Sequence, residues 1–159
     1  MVVEIRQAML DDVTNVNELQ QQFIKEHEIL YDPEFYELSS TAREEWTSWL
    51  KERMISQEFV MFVAEDNKKI VAYISGYLEQ RPKVYALRNV GYISNLYVDP
   101  KARGKGVASR LNKHIGEWFQ KNGVKYVELN VDARATDAVA AWVSMGYSEV
   151  GKRMRKCLP

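Results

Sequence analysis

The stretch between Val98 and Ser109, V-D-P-K-A-R-G-K-G-V-A-S, constrains this chain more than any other. An apolar strand end and a proline-terminated exit lead into a glycine-bearing basic loop that opens directly into a helix. Gly104 and Gly106 can take positive φ, which lets consecutive amide N–H groups turn inward toward an anion. The first helical turn adds its own N–H groups and partial positive charge, and Arg103, Lys105 and Arg110 place whole charges around it. The layout suits a phosphate; for the glycines alone, a solvated turn is the competing reading.

Two well-known phosphate loops fail on spacing. A Walker loop needs glycine five residues before its Gly-Lys pair and Ser or Thr after it, where this chain has Asp99 and Gly106. A dinucleotide fingerprint needs its first glycine at the strand end and a third opening the helix. Here Gly104 lies well beyond Val98, and Ser109 occupies the third position.

With 159 residues the chain reads as one domain, 1–159, large enough to bury roughly two thirds of its unfolded surface. No apolar run approaches the roughly twenty residues of a membrane span, and the start M-V-V-E-I-R alternates like a strand, so the cytoplasm is the expected compartment. Cys157 is the one cysteine; it excludes an internal disulfide and reads as an inert residue of a C-terminal strand. His27 and His114 are too distant in sequence for zinc spacing, so no metal is expected.

The net charge is zero, but the charges are segregated. Glu26, Glu28, Asp32, Glu34, Glu37, Glu44 and Glu45 face one base, Arg43, in one stretch; Lys101, Arg103, Lys105, Arg110, Lys113, Lys121 and Lys125 face one acid, Glu117, in another. A polyanion belongs beside the second stretch and a cation beside the first, unless both are solvated helix faces.

Periodicity predicts a strand over Val2 to Gln7, then a helix capped by Asp11 or Asp12 with Val13, Val16, Leu19 and Phe23 on its apolar side. Asp32-Pro33 breaks that run. A second helix, from about Ser40 to Met54, aligns Ala42, Trp46, Trp49, Leu50 and Met54, which makes the tryptophans core anchors. Phe59 to Glu65 and Ile70 to Glu79 form a hairpin through D-N-K-K, and Gly91 to Val98 is the next strand. Val107, Leu111, Ile115, Trp118 and Phe119 stripe a helix ending at Asn122-Gly123. A strand over Val124 to Val131, a helix over Thr136 to Met145 and a last strand from Ser148 toward Leu158 complete an α/β chain with one mixed, twisted sheet.

The Arg-x-x-Gly-x-Ala pattern of Arg103, Gly106 and Ala108 resembles the GNAT superfamily of acyl-CoA N-acyltransferases. The resemblance runs without a gap from Gly91 to Tyr147, through strand, loop, helix, Y-V-E-L-N-V, helix and M-G-Y. It implies a largely antiparallel central sheet flanked by helices. The family usually closes with a two-stranded hairpin, and only about a dozen residues remain here, enough for one strand. Either the sheet is a strand short, or a second copy completes the edge as a homodimer.

The resemblance further implies acetyl-CoA as co-substrate. Leu96, Tyr97 and Val98 would run beside the pantetheine arm, with an N–H near Leu96 polarising the thioester carbonyl. Arg103, Gly104, Lys105, Gly106, Val107, Ala108 and Ser109 would take the pyrophosphate. The usual glutamate base falls on Tyr92, Ser94 or Asn130, the usual asparagine on Ala135, and the usual tyrosine acid on Trp142, which can line the thioester channel or pack in the core. A lysine-like amine at pH 7 costs about 4.6 kcal/mol to deprotonate, so a base or water chain is needed. Tyr92 is the candidate for the proton path, with Glu128 or the acidic N-terminal segment as more distant partners. Glu28, Asp32 and Glu34 lie where relatives build the acceptor wall, which suits a small cationic amine or a peptide N-terminus.

Two other readings compete: a catalytically quiet acyl-CoA-binding module, favoured by the missing acid and base, and a nucleic-acid-binding domain using Lys101 to Lys125. The second is disfavoured because Trp118 and Phe119 lie on the apolar stripe and are not free to stack on bases.

Overall fold

The computed structural model describes residues 3–158. β1 (Glu4–Gln7) leads into α1 (Val13–Leu30), the single-turn α2 (Pro33–Tyr36) and α3 (Ala42–Met54). Then follow β2 (Phe59–Asp66), β3 (Lys69–Gln80), β4 (Asn89–Val98), α4 (Val107–Lys121), β5 (Val127–Leu129) and α5 (Thr136–Ser144). The strands lie side by side in chain order, antiparallel from β1 to β4, with β5 parallel to β4. The expected β2–β3 hairpin turns through Asn67 and Lys68 at φ 50° and 64°, the left-handed pair a tight two-residue turn requires.

Each face of the sheet carries its own core. Val107, Leu111, Ile115 and Phe119 of α4 pack on Val60, Ile74 and Ile93, all buried. On the opposite face Val13, Val16 and Leu19 of α1 and Leu50 of α3 close over Val63, Tyr73 and Tyr97. α4 lies close because Gly91 has no side chain; a Cβ there would sit 2.6 Å from the Phe119 ring.

Five expectations are corrected. The strand read over Val124 to Val131 forms only over Val127–Leu129. The predicted first strand is observed from Glu4, Val2 lying outside the described residues. Asp12 stands at the start of α1 but does not cap it; its carboxylate instead takes two bonds from Arg6, at 2.7 and 2.9 Å, and the Met9 N–H. Trp46 packs on the second core as expected, whereas Trp49 is 40% exposed and meets Phe59 at the rim.

The largest correction concerns the C-terminus. No strand forms between Ser148 and Leu158; this stretch is exposed, and Cys157 is an exposed residue of it. β5 offers only three residues to pair with, too short a ladder to hold a tail that carries Lys152, Arg153, Arg155 and Lys156. Among the described residues the outer edge of β5 therefore has no partner strand.

Candidate functional site

The sheet opens in its middle. β4 pairs with β5 only as far as Ile93–Leu129, and the β3–β4 register steps from Gly76–Ile93 to Ser75–Asn95, so Ser94 is an extra residue. This bulge turns β4 away from β5. The Ser94 hydroxyl lies 2.8 Å from that of Ser75, which holds the bulge to β3.

The bulge also fixes which main-chain groups face the opening. Asp99 N–H donates to the Val71 carbonyl at 2.8 Å, a hydrogen-bonded pair of the antiparallel ladder. Alternation then points Tyr97 and Asn95 at β3 and leaves the N–H and C=O of Leu96 and Val98 on the side where β5 has ended. The Val98 carbonyl accordingly accepts from Arg103 Nε at 2.9 Å. A donor at Leu96 and a run of outward main-chain groups suit an extended amide-bearing arm.

At the end of this edge lies the basic loop. Gly104 and Gly106 adopt φ 73° and 72°, as the sequence required, and open space surrounds both, so the need for glycine is conformational. Gly106 is the N-terminal cap residue of α4 and no side chain caps that end, which leaves first-turn N–H groups for a ligand. The charged side chains are held by the protein itself. Arg103 donates to both Glu26 oxygens at 3.0 and 2.7 Å, Arg110 to the Val3 carbonyl at 2.8 Å, and Lys105 to the Lys101 carbonyl at 2.9 Å.

The face of the sheet under α1 carries the proton-bearing groups. Tyr92 stacks 5.2 Å from Tyr77, and its hydroxyl accepts from Asn130 Nδ2 at 2.5 Å across the opening. Burial and the charge of Glu79 push the Tyr92 hydroxyl above its ordinary value, against the Asn130 bond, so it stays protonated near neutrality. Tyr97 donates to Glu26 at 2.6 Å and is raised by burial and by that bond. Trp142 packs against the α4-side core, with its ring 5.1 Å from Tyr147. The Tyr147 hydroxyl donates to Asn112 and is pushed up to about 12 by burial.

The predicted acceptor-wall acids do not act as one patch. Glu28 is paired with Lys25 at 2.9 Å, and Glu34 is exposed on α2. Asp32 meets Arg155 of the tail at 2.5 Å and Arg134 at 3.8 Å. Arg134 is the hub: it donates to Asp132 at 2.7 and 2.9 Å and to the Tyr31 carbonyl at 2.7 Å, tying the end of α1 to the loop after β5. The Arg134 bond holds the Asp132 carboxyl down at about 2, against a smaller opposing effect of burial. Sequence reasoning missed Glu26 as a bracket, the bond of Tyr147 to Asn112, and Asp132 and Arg134 altogether. Only the position of Asp132 just past a strand end hinted at a role. Among the described residues, no three His, Cys, Asp or Glu side chains converge to hold a metal ion, and no helix is long and apolar enough to cross a membrane.

This geometry agrees with the comparisons to known proteins. The model of the acetyltransferase (GNAT) family matches residues 17–147. An uncharacterized N-acetyltransferase of Bacillus subtilis, YhfO, is 25% identical over 156 residues, which cover 98% of this chain and 97% of the relative. Among solved structures, a tetramutant of the Bacillus halodurans protein BH1408 superposes with a TM-score of 0.84 at 23% identity, covering 99% of this chain and all of that one. The aminoglycoside N-acetyltransferase AAC(6')-Iy, solved with CoA, gives 0.78 at 14% identity over 99% of this chain and 95% of that chain. With its split sheet, its left-handed glycine loop and a family match that spans both, this chain belongs to the acetyltransferase (GNAT) family.

Proposed function

We propose that the chain moves an acetyl group from acetyl-CoA directly to a primary amine in a ternary complex. The observation that carries this reading is the edge of β4 left open past Ser94, with Leu96 and Val98 facing the gap and leading to the loop at the start of α4. The residues fit the co-substrate: the main chain of Leu96, Tyr97 and Val98 lies along the pantetheine arm, and the Leu96 N–H stabilises charge on the thioester oxygen. The amides of Gly104 to Ser109 hold the pyrophosphate. Arg103 braces this edge, holding Glu26 and the Val98 carbonyl. Trp142 closes the channel wall from α5.

Tyr92, protonated at the mouth of the opening, gives its proton to the departing sulfur. The acceptor is a cationic small amine or a peptide N-terminus, received between the α1–α2 corner and the loop after β5, where Asp32 is the acid best placed. An aminoglycoside, the acceptor class in one relative's name, is a polycation of this kind. A second copy pairing along the free edge of β5 makes a homodimer, which sedimentation at micromolar concentration tests; monomer alone overturns it.

Calorimetry with CoA, followed by thiol release across polyamines, aminoglycosides and short peptides, tests the function. Heat with CoA and turnover with a cationic acceptor are expected. Heat without turnover of any amine would leave the quiet binding module standing, and no heat would end the reading.

A further inference from the structure

We infer that His27 accepts the proton of the incoming ammonium; this deepens the acetyl-transfer reading and rests on it. His27 lies in the last turns of α1, one turn on from Phe23, whose ring meets that of Tyr97 of β4 at 5.8 Å. Its sequence neighbour Glu26 bonds Tyr97 of β4 and Arg103 of the loop. Arg134, past the end of β5, donates to the carbonyl of Tyr31, one turn on from His27, at 2.7 Å, so the end of α1 lies between β4 and that loop. The imidazole thus stands over the gap from the α1 side, the side that also carries Tyr92.

Its tautomer is set by the structure. Nδ1 lies 3.0 Å from the Phe23 carbonyl, and a carbonyl only accepts, so Nδ1 carries the hydrogen and neutral His27 presents a lone pair at Nε2. Among the described residues Nε2 has no hydrogen-bond partner. Three rings fix the imidazole: Phe23 at 4.3 Å, Tyr31 at 5.2 Å and Tyr36 at 5.2 Å. Such rings also offer π-faces to a cation.

The charged groups around it are largely engaged with one another. On α1, Glu26 holds Tyr97 and Arg103, and Glu28 holds Lys25. Asp132 and Arg134 pair on the loop after β5, and Asp32 takes Arg134 and the tail's Arg155. Tyr36 faces it from α2, and Glu34 is exposed there. His27 is the one neutral nitrogen base in this group.

The protons balance as follows. The ammonium gives one proton to Nε2, which passes it to solvent. The freed lone pair attacks the thioester carbonyl carbon, the C–N bond forms and the C–S bond breaks with its electron pair on sulfur. Tyr92 gives its proton to that sulfur and regains one from the new amide nitrogen.

The test measures kcat/KM against pH for wild type and His27→Gln, with spermidine and a short peptide as acceptors. A base must be neutral to accept the ammonium's proton, so the wild-type profile should show an acidic limb that H27Q lacks. At pH 7 the variant should lose about a hundredfold in kcat/KM with spermidine, within the range of a positioned base, while CoA heat is unchanged. The peptide α-amine, about one unit from neutrality, should show a smaller defect. A variant within threefold of wild type that keeps the limb overturns the role of His27 and leaves acetyl transfer intact. Absent CoA heat and thiol release in wild type overturn both. If H27Q does not fold, the wild-type profile decides: a tenfold rise per pH unit through pH 9 with no break overturns the inference.

Discussion

The two ends of the opening in the sheet are built from different materials. The end proposed for the nucleotide is main chain: outward amides of β4, two left-handed glycines and a bare helix start, with its arginine side chains already held by Glu26 and by main-chain carbonyls. The end proposed for the acceptor is made of side chains brought together from distant segments, α1, α2, the loop after β5 and the tail, and held by Arg134 and Arg155. A main-chain site is set by a few local dihedrals, so it survives change around it. A side-chain site depends on every partner, so it is where acceptor specificity can drift.

Replacing both Gly104 and Gly106 by valine breaks the first end most sharply. Each position sits at positive φ, where a β-branched residue costs about 1–2 kcal/mol, and open space gives no other reason for a defect. CoA affinity should fall roughly a hundredfold by calorimetry, with the circular dichroism of the fold retained. Arg103→Gln is the control: because its guanidinium sits on Glu26, CoA affinity should move only a few-fold. A larger loss for R103Q than for the glycine pair would reverse the comparison.

Tyr92→Phe comes next. Turnover should drop about a hundredfold while CoA affinity is unchanged, the lower end of what a positioned proton donor contributes. Equal turnover would remove Tyr92 from the proton path and leave both ends of the opening as described.

The same contrast explains what could be read from the sequence. The glycine loop, the stripe Val107, Leu111, Ile115 and Phe119 and the Asn67-Lys68 turn follow from local geometry, and each is observed. Asp12 could not be read, because Arg6 from β1 competes for its carboxylate with the helix start. The tail could not be read either: its composition allows a strand, and only the three-residue length of β5 decides against one. The bracket from Arg134 to the Tyr31 carbonyl joins residues 103 positions apart, beyond the reach of any sequence pattern. The charge of the α1–α2 segment was legible, but the partners that consume it were not.

Asp132 measures how firmly the corner between α1 and the loop after β5 is held. Its folded carboxyl titrates near 2 against an ordinary 3.8, so the pair with Arg134 stabilises the fold above about pH 4 and is lost as pH falls through about 2. Asp132→Asn should cost about 1 kcal/mol at pH 7, discounted for the solvent around Arg134, and should flatten the stability curve between pH 4 and 2 in urea titrations. An unchanged curve would mean that Arg134 holds the corner through Tyr31 alone.

Arg155 should give the smallest effect. Its pair with Asp32 is half exposed on the arginine side, at 53%, so Arg155→Ala should change stability by less than about 1 kcal/mol. The pair nevertheless neutralises the acid best placed for a cationic acceptor, and it does so from a tail with no strand to anchor it. Releasing Asp32 should lower KM for spermidine two- to threefold with kcat unchanged, and Asp32→Asn should raise it. If R155A and D32N leave KM alike, the tail is a bystander and Asp32 is part of the bracket rather than of the acceptor wall.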